Sequence, residues 1–416
     1  MKWIILVITL VVCLTSAQAQ QLALDSILNE IQKANPVGKM YDNDIRSMDE
    51  AAKGARSWMA PELGTGFWMT PYNPSLWKKA PDGTSGMGQY MISAQQMFPN
   101  RKRQNADAAY MGAMSSVEKE KKKSSLNELY AAAKKNYYEW IILRRKLNVI
   151  DRDEHLLEFM IQNAETRYKN GMEKISAYYK AKAALGNLGN MQSMLENELK
   201  QKRIVLNTLM NHDKLREFDI DTAYTIKDYN ALIFDSAMFV GVRSDIKAID
   251  RNIDLTQLQR NAELAKLNTE FGLRYEHMFG FGGLPMQFTL MGMVRIPLAG
   301  WSSKMYKANA ESLRWKTESL AQQKQMMINE ATGMAYGMQT DIESKKKQVK
   351  MFEINIIPAL ERNYQAMQLG YEQNTEELFM LLDAWETLNM TQLEYLNQLQ
   401  ELLQMQVELE KILEIR

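Results

Sequence analysis

Apolar and polar residues alternate along the stretch Gln287–Pro297, QFTLMGMVRIP. Its apolar side chains share one face of an extended strand, and they are Phe288, Leu290, Val294 and Ile296. An earlier stretch, Gln89–Pro99, has the same Gln-aromatic start and the same proline end, at a constant offset of 198 residues (89 to 287, 99 to 297). This repetition predicts two copies of one structural unit.

Two further stretches have the composition of strands. Residues 269–279 alternate cleanly, with Phe271, Leu273, Tyr275 and Phe279 on one face and Glu270, Arg274 and Glu276 on the other. Pro61–Tyr72 is rich in glycine and aromatic residues, and a loop at 73–85 joins it to the 89–99 strand. The sequence therefore predicts strands at about 61–72, 87–98, 268–279 and 286–297.

Between the strand pairs, the apolar spacing changes to three and four residues, which indicates long helices. The first helix has no proline from Arg101 to Tyr168, and at ~1.5 Å per residue it would be roughly 100 Å long. Its buried face is predicted at Leu126, Leu129, Ala133, Tyr137, Trp140, Leu143, Leu147 and Ile150. Pro358 is the one predicted kink in the second long helix.

Each long helix is predicted to fold back on itself at a short break. Tyr168 and Gly171 mark the first break, and Tyr371 and Asn374 mark the second, 203 residues later (168 to 371, 171 to 374). Glycine and asparagine adopt the left-handed backbone conformation most readily. The prediction is a first repeat at 20–232 with a helical hairpin at about 101–210, and a second repeat at 233–416 with a hairpin at about 301–415.

Residues 1–19 have the features of a secretory signal peptide: Lys2, an apolar run from Ile4 to Leu14, and Ala17-Gln18-Ala19. Cys13 is the single cysteine and lies within this leader, so no disulfide or thiolate site is predicted for the mature chain. Lipidation of Cys13 is disfavoured, because Val12 is large where a lipobox has a small residue.

Charge and motif content weigh against two classes of function. The net charge is +1, from 51 basic and 50 acidic residues, which does not favour a nucleic-acid partner. The only histidines are His155, His212 and His277, and no zinc-protease, nucleophile-elbow or phosphate-loop motif is present. We therefore predict no catalytic residue, no cofactor and no metal site. A structural or adhesin-like coiled-coil protein is the alternative, but it leaves the four alternating strands unexplained.

An exported chain with these strands can enter a membrane only as part of a closed barrel. Four strands are too few to close, since about eight are needed to leave an interior filled with side chains. Two, three or four chains would contribute eight, twelve or sixteen strands, and only the larger two numbers leave a water-filled lumen. The pattern therefore predicts a channel shared between subunits.

Several loose motifs occur in a fixed order along the chain. They are Ala34-Asn35-Pro36, Ala51–Arg56 followed by Pro61, Tyr168-x-x-Gly171, and Tyr371-x-x-Asn374-x-x-Glu377-Leu378-x-x-Leu381-Leu382-Asp383-Ala384. In this order the sequence resembles the TolC-like outer membrane efflux proteins, over nearly all of the predicted mature chain. Asn374 departs from that pattern, in which glycine is usual.

The resemblance implies an α+β membrane protein with two repeats, each a β-hairpin plus a long α-helical hairpin. It implies a homotrimer with a twelve-stranded outer-membrane β-barrel that is continued by a twelve-helix periplasmic α-barrel in a Gram-negative cell. The implied function is the exit duct of a tripartite efflux pump for drugs, toxic compounds or metal ions. The implied partners are outer membrane lipid, a periplasmic adaptor (membrane fusion) protein and an inner-membrane pump, foremost of the RND type.

The resemblance also implies where the adaptor docks and where the duct is gated. We call residues 165–180 the first tip and residues 368–385 the second tip. The residues implied as gate and docking elements are Arg167, Tyr168, Gly171, Tyr371, Asn374, Leu378 and Asp383. Asp383 has a second interpretation, as a helix cap or a surface carboxylate.

The chain contains 30 methionines, which permit two interpretations. Thioethers suit soft cations such as Cu(I) and Ag(I), and a duct specialised for these ions is an alternative function. Methionine also fills irregular packing, which is the more common role. Met91, Met97, Met291 and Met293 are predicted to lie on the polar face of their strands.

Overall fold

A computed structural model describes residues 21–297 and 299–416. The predicted signal peptide and Cys13 lie outside the described residues. Contacts divide the chain into two compact units, each assembled from separate segments. The helical unit comprises residues 21–40, Lys122–Ser244 and Met327–Arg416, and the strand unit comprises Tyr41–Lys121 and Asp245–Met326. Each unit thus takes residues from both predicted repeats.

Four strands of the strand unit form one antiparallel sheet. They are β1 (Glu62–Trp68), β2 (Gln89–Phe98), β3 (Glu270–Gly280) and β4 (Gln287–Arg295), and they pair in chain order. The two hairpins are joined by pairing of β2 with β3, in which Gln95 is opposite Arg274. Among the described residues of one chain the sheet is open, because β1 and β4 each pair on one side only. Those two edges carry unpaired backbone groups of the kind that bind a further strand.

The two faces of the sheet differ sharply in chemistry. One row across it is Leu63, Ala94, Tyr275 and Leu290, and this apolar face is largely exposed, with Leu273 50% and Leu290 64% accessible. On the polar face, Glu270 and Glu276 are buried, and each forms an ion pair with an arginine. Arg274 lies 2.6 Å from Glu276, and Arg103 lies 2.6 Å from Glu270. The predicted separation of apolar and charged residues on β3 is confirmed.

The long helices that the apolar spacing predicts are present, together with shorter helices whose lengths it does not specify. They are α1 (Leu24–Ala34), α2 (Pro36–Lys53), α3 (Arg101–Lys169), α4 (Ile175–Leu209), α5 (Ser236–Val242), α6 (Ser244–Ala265), α7 (Gly300–Met351), α8 (Ile357–Glu372) and α9 (Leu378–Ile412). No helix within the described residues is long and apolar enough to cross a membrane.

The core of the helical unit is built from the predicted face of α3 together with α1, α4 and α9. Ala133, Trp140 and Ile150 on α3 are fully buried, and Leu399 and Leu403 on α9 are equally inaccessible. Removing each of the isoleucine and leucine side chains from water contributes roughly 1.5–3 kcal/mol. The helical spacing read from the sequence is therefore the spacing of the core.

The Asn-Pro motif between α1 and α2 has a clear structural role. The Asn35 side chain donates to the carbonyl oxygen of Leu209 at 2.8 Å and accepts from the backbone N–H of Val37 at 2.9 Å. It thereby caps α2 and binds the last turn of α4. Pro36 begins α2, where its missing N–H has no intrahelical partner to lose.

A buried carboxylate joins segment 213–235, which lies between α4 and α5, to α3 and α9. Glu410 accepts from Lys134 at 2.5 Å, from Lys227 at 2.5 Å and from the hydroxyl of Tyr229 at 3.0 Å. Burial alone would raise the pKa of Glu410, but the two lysines outweigh it and hold that pKa below its usual range. Burial, followed by the charge of Glu410, raises the pKa of Tyr229.

The irregularity predicted at Pro358 begins earlier than the proline itself. A π turn at Phe352–Ile356 interrupts the helix between α7 and α8, and Pro358 follows in the first turn of α8. A proline lacks the N–H that would bond to the preceding turn, so the backbone there departs from α geometry. The Tyr395 hydroxyl donates to Glu353 at 2.7 Å and anchors the π turn to α9.

Candidate functional site

The first tip reverses the chain through a left-handed glycine. α3 ends at Lys169, and Gly171 has a φ of +69°. The N–H of Gly171 donates to the carbonyl oxygen of Tyr168 at 2.9 Å, and the N–H of Met172 donates to that of Arg167 at 2.9 Å. These two bonds form a Schellman motif, which satisfies carbonyl groups at the end of the helix.

The second tip repeats this geometry 203 residues later. Asn374 has a φ of +60°, and its N–H donates to the carbonyl oxygen of Tyr371 at 3.2 Å. The N–H of Thr375 donates to the carbonyl oxygen of Gly370 at 2.9 Å. The left-handed conformation predicted at both breaks is confirmed. Asparagine serves here in place of glycine because it tolerates this region better than other side chains.

The helices that leave the two tips are equivalent in length. α4 and α9 each contain 35 residues, and their first residues, Ile175 and Leu378, are also 203 apart. Both helices end in the same way, with positive φ at Asn211 and Glu414. The repeat detected in the strands therefore extends to the far end of both hairpins.

Arg167 and Tyr371 connect the two tips. The Arg167 guanidinium donates to the backbone carbonyl of Tyr371 at 2.8 Å and lies over the Tyr371 ring, 4.0 Å from its centroid. Tyr371 is 3% exposed, and its hydroxyl has no hydrogen-bond partner. Burial raises the pKa of Tyr371, while the charge of Arg167 opposes that rise. A buried donor without an acceptor costs about 1–3 kcal/mol. The packing around Tyr371 therefore has to offset the cost of burying its hydroxyl.

A polar cleft of about 380 Å³ separates the two reversals. Its lining comes from both tips and consists of Arg167, Gly171, Met172, Glu173, Lys174, Asn374, Thr375, Glu376 and Glu377. Lys174 and Glu377 form an exposed ion pair across it at 3.4 Å. Such exposed pairs contribute little stability, but they leave a charged and hydrated surface at the end of the hairpins.

The remaining predicted tip residues differ in exposure. Tyr168 is 46% exposed, and Asp383 is exposed in the second turn of α9. Asp383 is not the N-cap of α9, because Glu377 occupies that position, immediately before the first helical residue Leu378. Leu378 is fully buried in the core, so its side chain supports the tip from within.

Several contacts near the tips were not predicted from the sequence. Lys180 lies over the Phe379 ring at 3.8 Å. Further from the tips, buried Asp153 accepts from Asn389, and Arg152 donates to Gln392 at 2.6 Å. Lys174 and Glu377 occupy equivalent positions of the repeat and carry opposite charges. This charge difference is visible in the sequence and could have predicted their ion pair. The other contacts join residues with no shared spacing.

The tip residues can hold the two helical hairpins together and present a polar surface to a partner. Within the described residues, no group of three or more His, Cys, Asp or Glu side chains could hold a metal ion. His155 lies 3.8 Å from Glu158, and His212 lies 3.4 Å from Glu30, both in partly or fully exposed pairs. His277 packs edge-on against Phe279 on the apolar face of the sheet.

Three solved structures share this architecture over almost the whole chain. CusC matches 95% of this chain and 95% of its own, at 13% identity and a TM-score of 0.74. VceC from Vibrio cholerae matches 94% and 95%, at 14% identity and a TM-score of 0.72. The Campylobacter jejuni CmeC outer membrane channel matches 94% and 85%, at 11% identity and a TM-score of 0.72. The chain has the TolC-like fold.

No protein-family model and no curated protein matches the chain in sequence. The TolC-like fold is thus preserved at identities where few side chains coincide. In this chain the fold is a doubled plan of β-hairpin and long helical hairpin. CusC is described as forming a transmembrane channel, VceC as an outer membrane protein and CmeC as an outer membrane channel.

Proposed function

We propose that the chain is the outer membrane exit duct of a tripartite efflux pump. It would work as a homotrimer, with a twelve-stranded barrel in the outer membrane and a helical tube in the periplasm. A periplasmic adaptor and an inner-membrane pump, foremost of the RND type, would supply substrate and energy. The observation that carries this proposal is an open sheet with one exposed apolar face and one polar face, on a TolC-like fold.

The sheet supports a shared barrel through its edges and faces. β1 and β4 each have one unpaired edge, and strands cross a bilayer only when every edge is closed. Pairing of β4 of one copy with β1 of the next would satisfy both edges. The apolar face, with Phe288 70% accessible, would then contact lipid, and the ion-paired face would line the lumen.

Assembly is the first test of this proposal. The detergent-extracted protein should have the mass of three chains and should fractionate with the outer membrane, because one open sheet cannot close alone. Unheated gel electrophoresis and light scattering measure the mass. A stable monomer in the soluble periplasmic fraction would eliminate the barrel, whereas a dimer or tetramer would change the strand count.

The tips would form the gate and the adaptor-docking end. Arg167 and Tyr371 would hold the two tips together, while Tyr168, Asp383 and the polar cleft would face the partner. Gly171 and Asn374 would set the backbone shape, and Leu378 would anchor the second tip in the core.

Gly171→Val and Asn374→Val are expected to impair efflux without preventing assembly. A left-handed backbone costs a β-branched residue on the order of 1–2 kcal/mol. A Cβ atom at position 171 would meet no atom within 4 Å, so the expected effect comes from the left-handed backbone (φ +69°). Efflux would be measured as drug or metal sensitivity, with the gene deletion as the baseline, and trimer content by unheated gel.

Two matched variants separate backbone strain from other effects. Gly186→Val introduces the same side chain inside α4, where nothing lies within 4 Å, and should leave efflux near wild type. Asn374→Gly keeps the left-handed conformation and should also preserve efflux. Wild-type efflux in both valine variants would show that these positions are ordinary loop residues.

A further inference from the structure

Two turns lie together at one end of the sheet, opposite the end from which α3 and α7 begin. Residues 69–88 join β1 to β2, and residues 281–286 join β3 to β4. The turns are bonded to each other, because the N–H of Gly86 donates to the carbonyl oxygen of Gly282 at 2.9 Å. A Cβ atom on Gly282 would lie 2.6 Å from Gly86 Cα, so only glycine permits this approach. We call these two turns the collar.

The collar folds back against the apolar face of the sheet. Trp77 stacks on Phe281 with ring centroids 5.3 Å apart, and these rings lie 5.8 Å and 6.1 Å from the ring of Phe67. Phe67 is on the same face of β1 as Leu63, four residues earlier. The Trp77 indole also donates to the carbonyl oxygen of Pro71 at 2.8 Å, which fixes its orientation. The collar therefore continues the apolar face beyond the ends of the strands.

The collar exposes several large side chains of low polarity. Turns that project into water consist mainly of small and polar residues. Here five large apolar or aromatic side chains are exposed, and they are Met69, Tyr72, Leu76, Met87 and Met286. Apolar residues concentrated on an exposed surface indicate contact with another protein or with a membrane. Because the collar continues a face that would contact lipid, the membrane is the partner that fits.

Two lysines lie among these apolar residues. Lys78 and Lys79 are exposed, and in the part of the chain that the structure describes neither forms an ion pair. The stem of Lys79 lies against the second turn, since a Cβ atom on Gly283 would be 3.7 Å from its Cδ. Asp82 is the one carboxylate of the collar, and it accepts from the N–H of Thr84 at 2.9 Å instead. The collar thus offers two uncommitted ammonium groups to an anionic partner.

We propose that the collar is a lipid-binding surface on which Lys78 and Lys79 bind the phosphate of an anionic lipid head group. The exposed apolar side chains enter the leaflet beside the head group. A lysine stem packs along apolar surface while its ammonium reaches the polar layer of the bilayer, and lysine binds phosphate as a point charge. This inference rests on the proposed function, in which the apolar face of the sheet contacts lipid.

Lipid selectivity of the assembled protein tests the role of the lysines. In phosphatidylcholine vesicles, electron paramagnetic resonance measures how strongly spin-labelled phosphatidate associates with the protein relative to spin-labelled phosphatidylcholine. The double variant Lys78→Gln with Lys79→Gln should lower this ratio of association constants by about threefold. The control double variant, Lys316→Gln with Lys350→Gln, removes the same charge from exposed positions on α7 and should leave the ratio unchanged. Equal ratios in the two double variants would overturn the phosphate site.

Spin labels on the protein test whether the collar enters the leaflet. The single cysteine, Cys13, lies in the predicted leader, so Leu76→Cys and Leu290→Cys each provide one labelling site in the mature chain. Both labels should be more accessible to oxygen, which dissolves in the bilayer, than to a water-soluble nickel chelate. Lipid contact at 290 with water contact at 76 would overturn the collar surface and leave the duct intact, whereas water contact at both would contradict the duct itself. A label at 76 that neither reagent reaches would show that another protein chain covers the collar, which also overturns the inference.

Discussion

Replacing Glu410 with alanine is expected to lower the free energy of unfolding of the helical unit by about 3–5 kcal/mol, because it leaves a buried lysine without its partner. The Lys134 side chain is 5% exposed and cannot turn into solvent, whereas that of Lys227 is 48% exposed and can. Thermal or guanidinium melting of the helical circular dichroism signal measures the loss.

Two comparisons make this expectation specific. Glu408→Ala removes a half-exposed carboxylate two residues away on α9 and should change stability by no more than about 0.5 kcal/mol. The double variant Lys134→Met with Glu410→Leu removes both charges and should recover most of the loss. Equal melting of Glu410→Ala and Glu408→Ala would mean that Glu410 does not hold segment 213–235 in place.

The same group makes stability dependent on pH. The pKa of Glu410 is lowered in the folded chain, so its contribution is present above the unfolded value of about 4.3. That contribution is lost as pH falls through the folded pKa. The wild type should therefore lose more stability on acidification than the double variant does.

Leu273→Arg is the second change with a large expected effect. If the apolar face contacts lipid, an arginine near mid-membrane costs about 2–4 kcal/mol per chain. Leu273 is 50% exposed on that face, within a row that also contains Gln96 and Gly292. Folding of the purified protein into lipid vesicles, measured against denaturant, gives the cost.

Matched variants on the polar face provide the control. Thr289→Arg places the same side chain on the neighbouring strand, opposite Glu276, where the charge would face water. Arg274→Gln removes a charge from the polar face and should cost far less than Leu273→Arg. Similar costs for Leu273→Arg and Thr289→Arg would show that the strands do not span a bilayer in this register.

The sequence was sufficient to predict features that depend on periodicity. Alternation placed Leu273 and Arg274 on opposite faces of the sheet, and three-to-four spacing placed Trp140 and Ile150 in the core. Both predictions succeed because the buried positions of a strand or helix are occupied mainly by apolar residues. The left-handed backbone at Gly171 and Asn374 was also predictable, since few residues adopt it.

Contacts between distant segments were beyond the reach of periodicity. Nothing in the spacing of Lys134, Lys227 and Glu410 indicates that they meet, because their contact depends on how segment 213–235 packs. The Arg167 contact with Tyr371 depends equally on the packing of α3 against α8. The π turn escaped prediction because Pro358 explains a disturbance but not its extent.

The π turn lies in the longer of two equivalent helical arms that lead to the tips, residues 101–169 and residues 300–372. The long helices begin 199 residues apart (101 to 300), yet they reach their tips 203 residues apart (169 to 372). The arm from Gly300 to Glu372 is therefore four residues longer than the arm from Arg101 to Lys169. A π turn closes its ring over five residues where an α turn uses four, so it takes up surplus chain within a continuous helix. The returning arms, α4 and α9, each have 35 residues, so the difference in length is confined to the arms that lead to the tips.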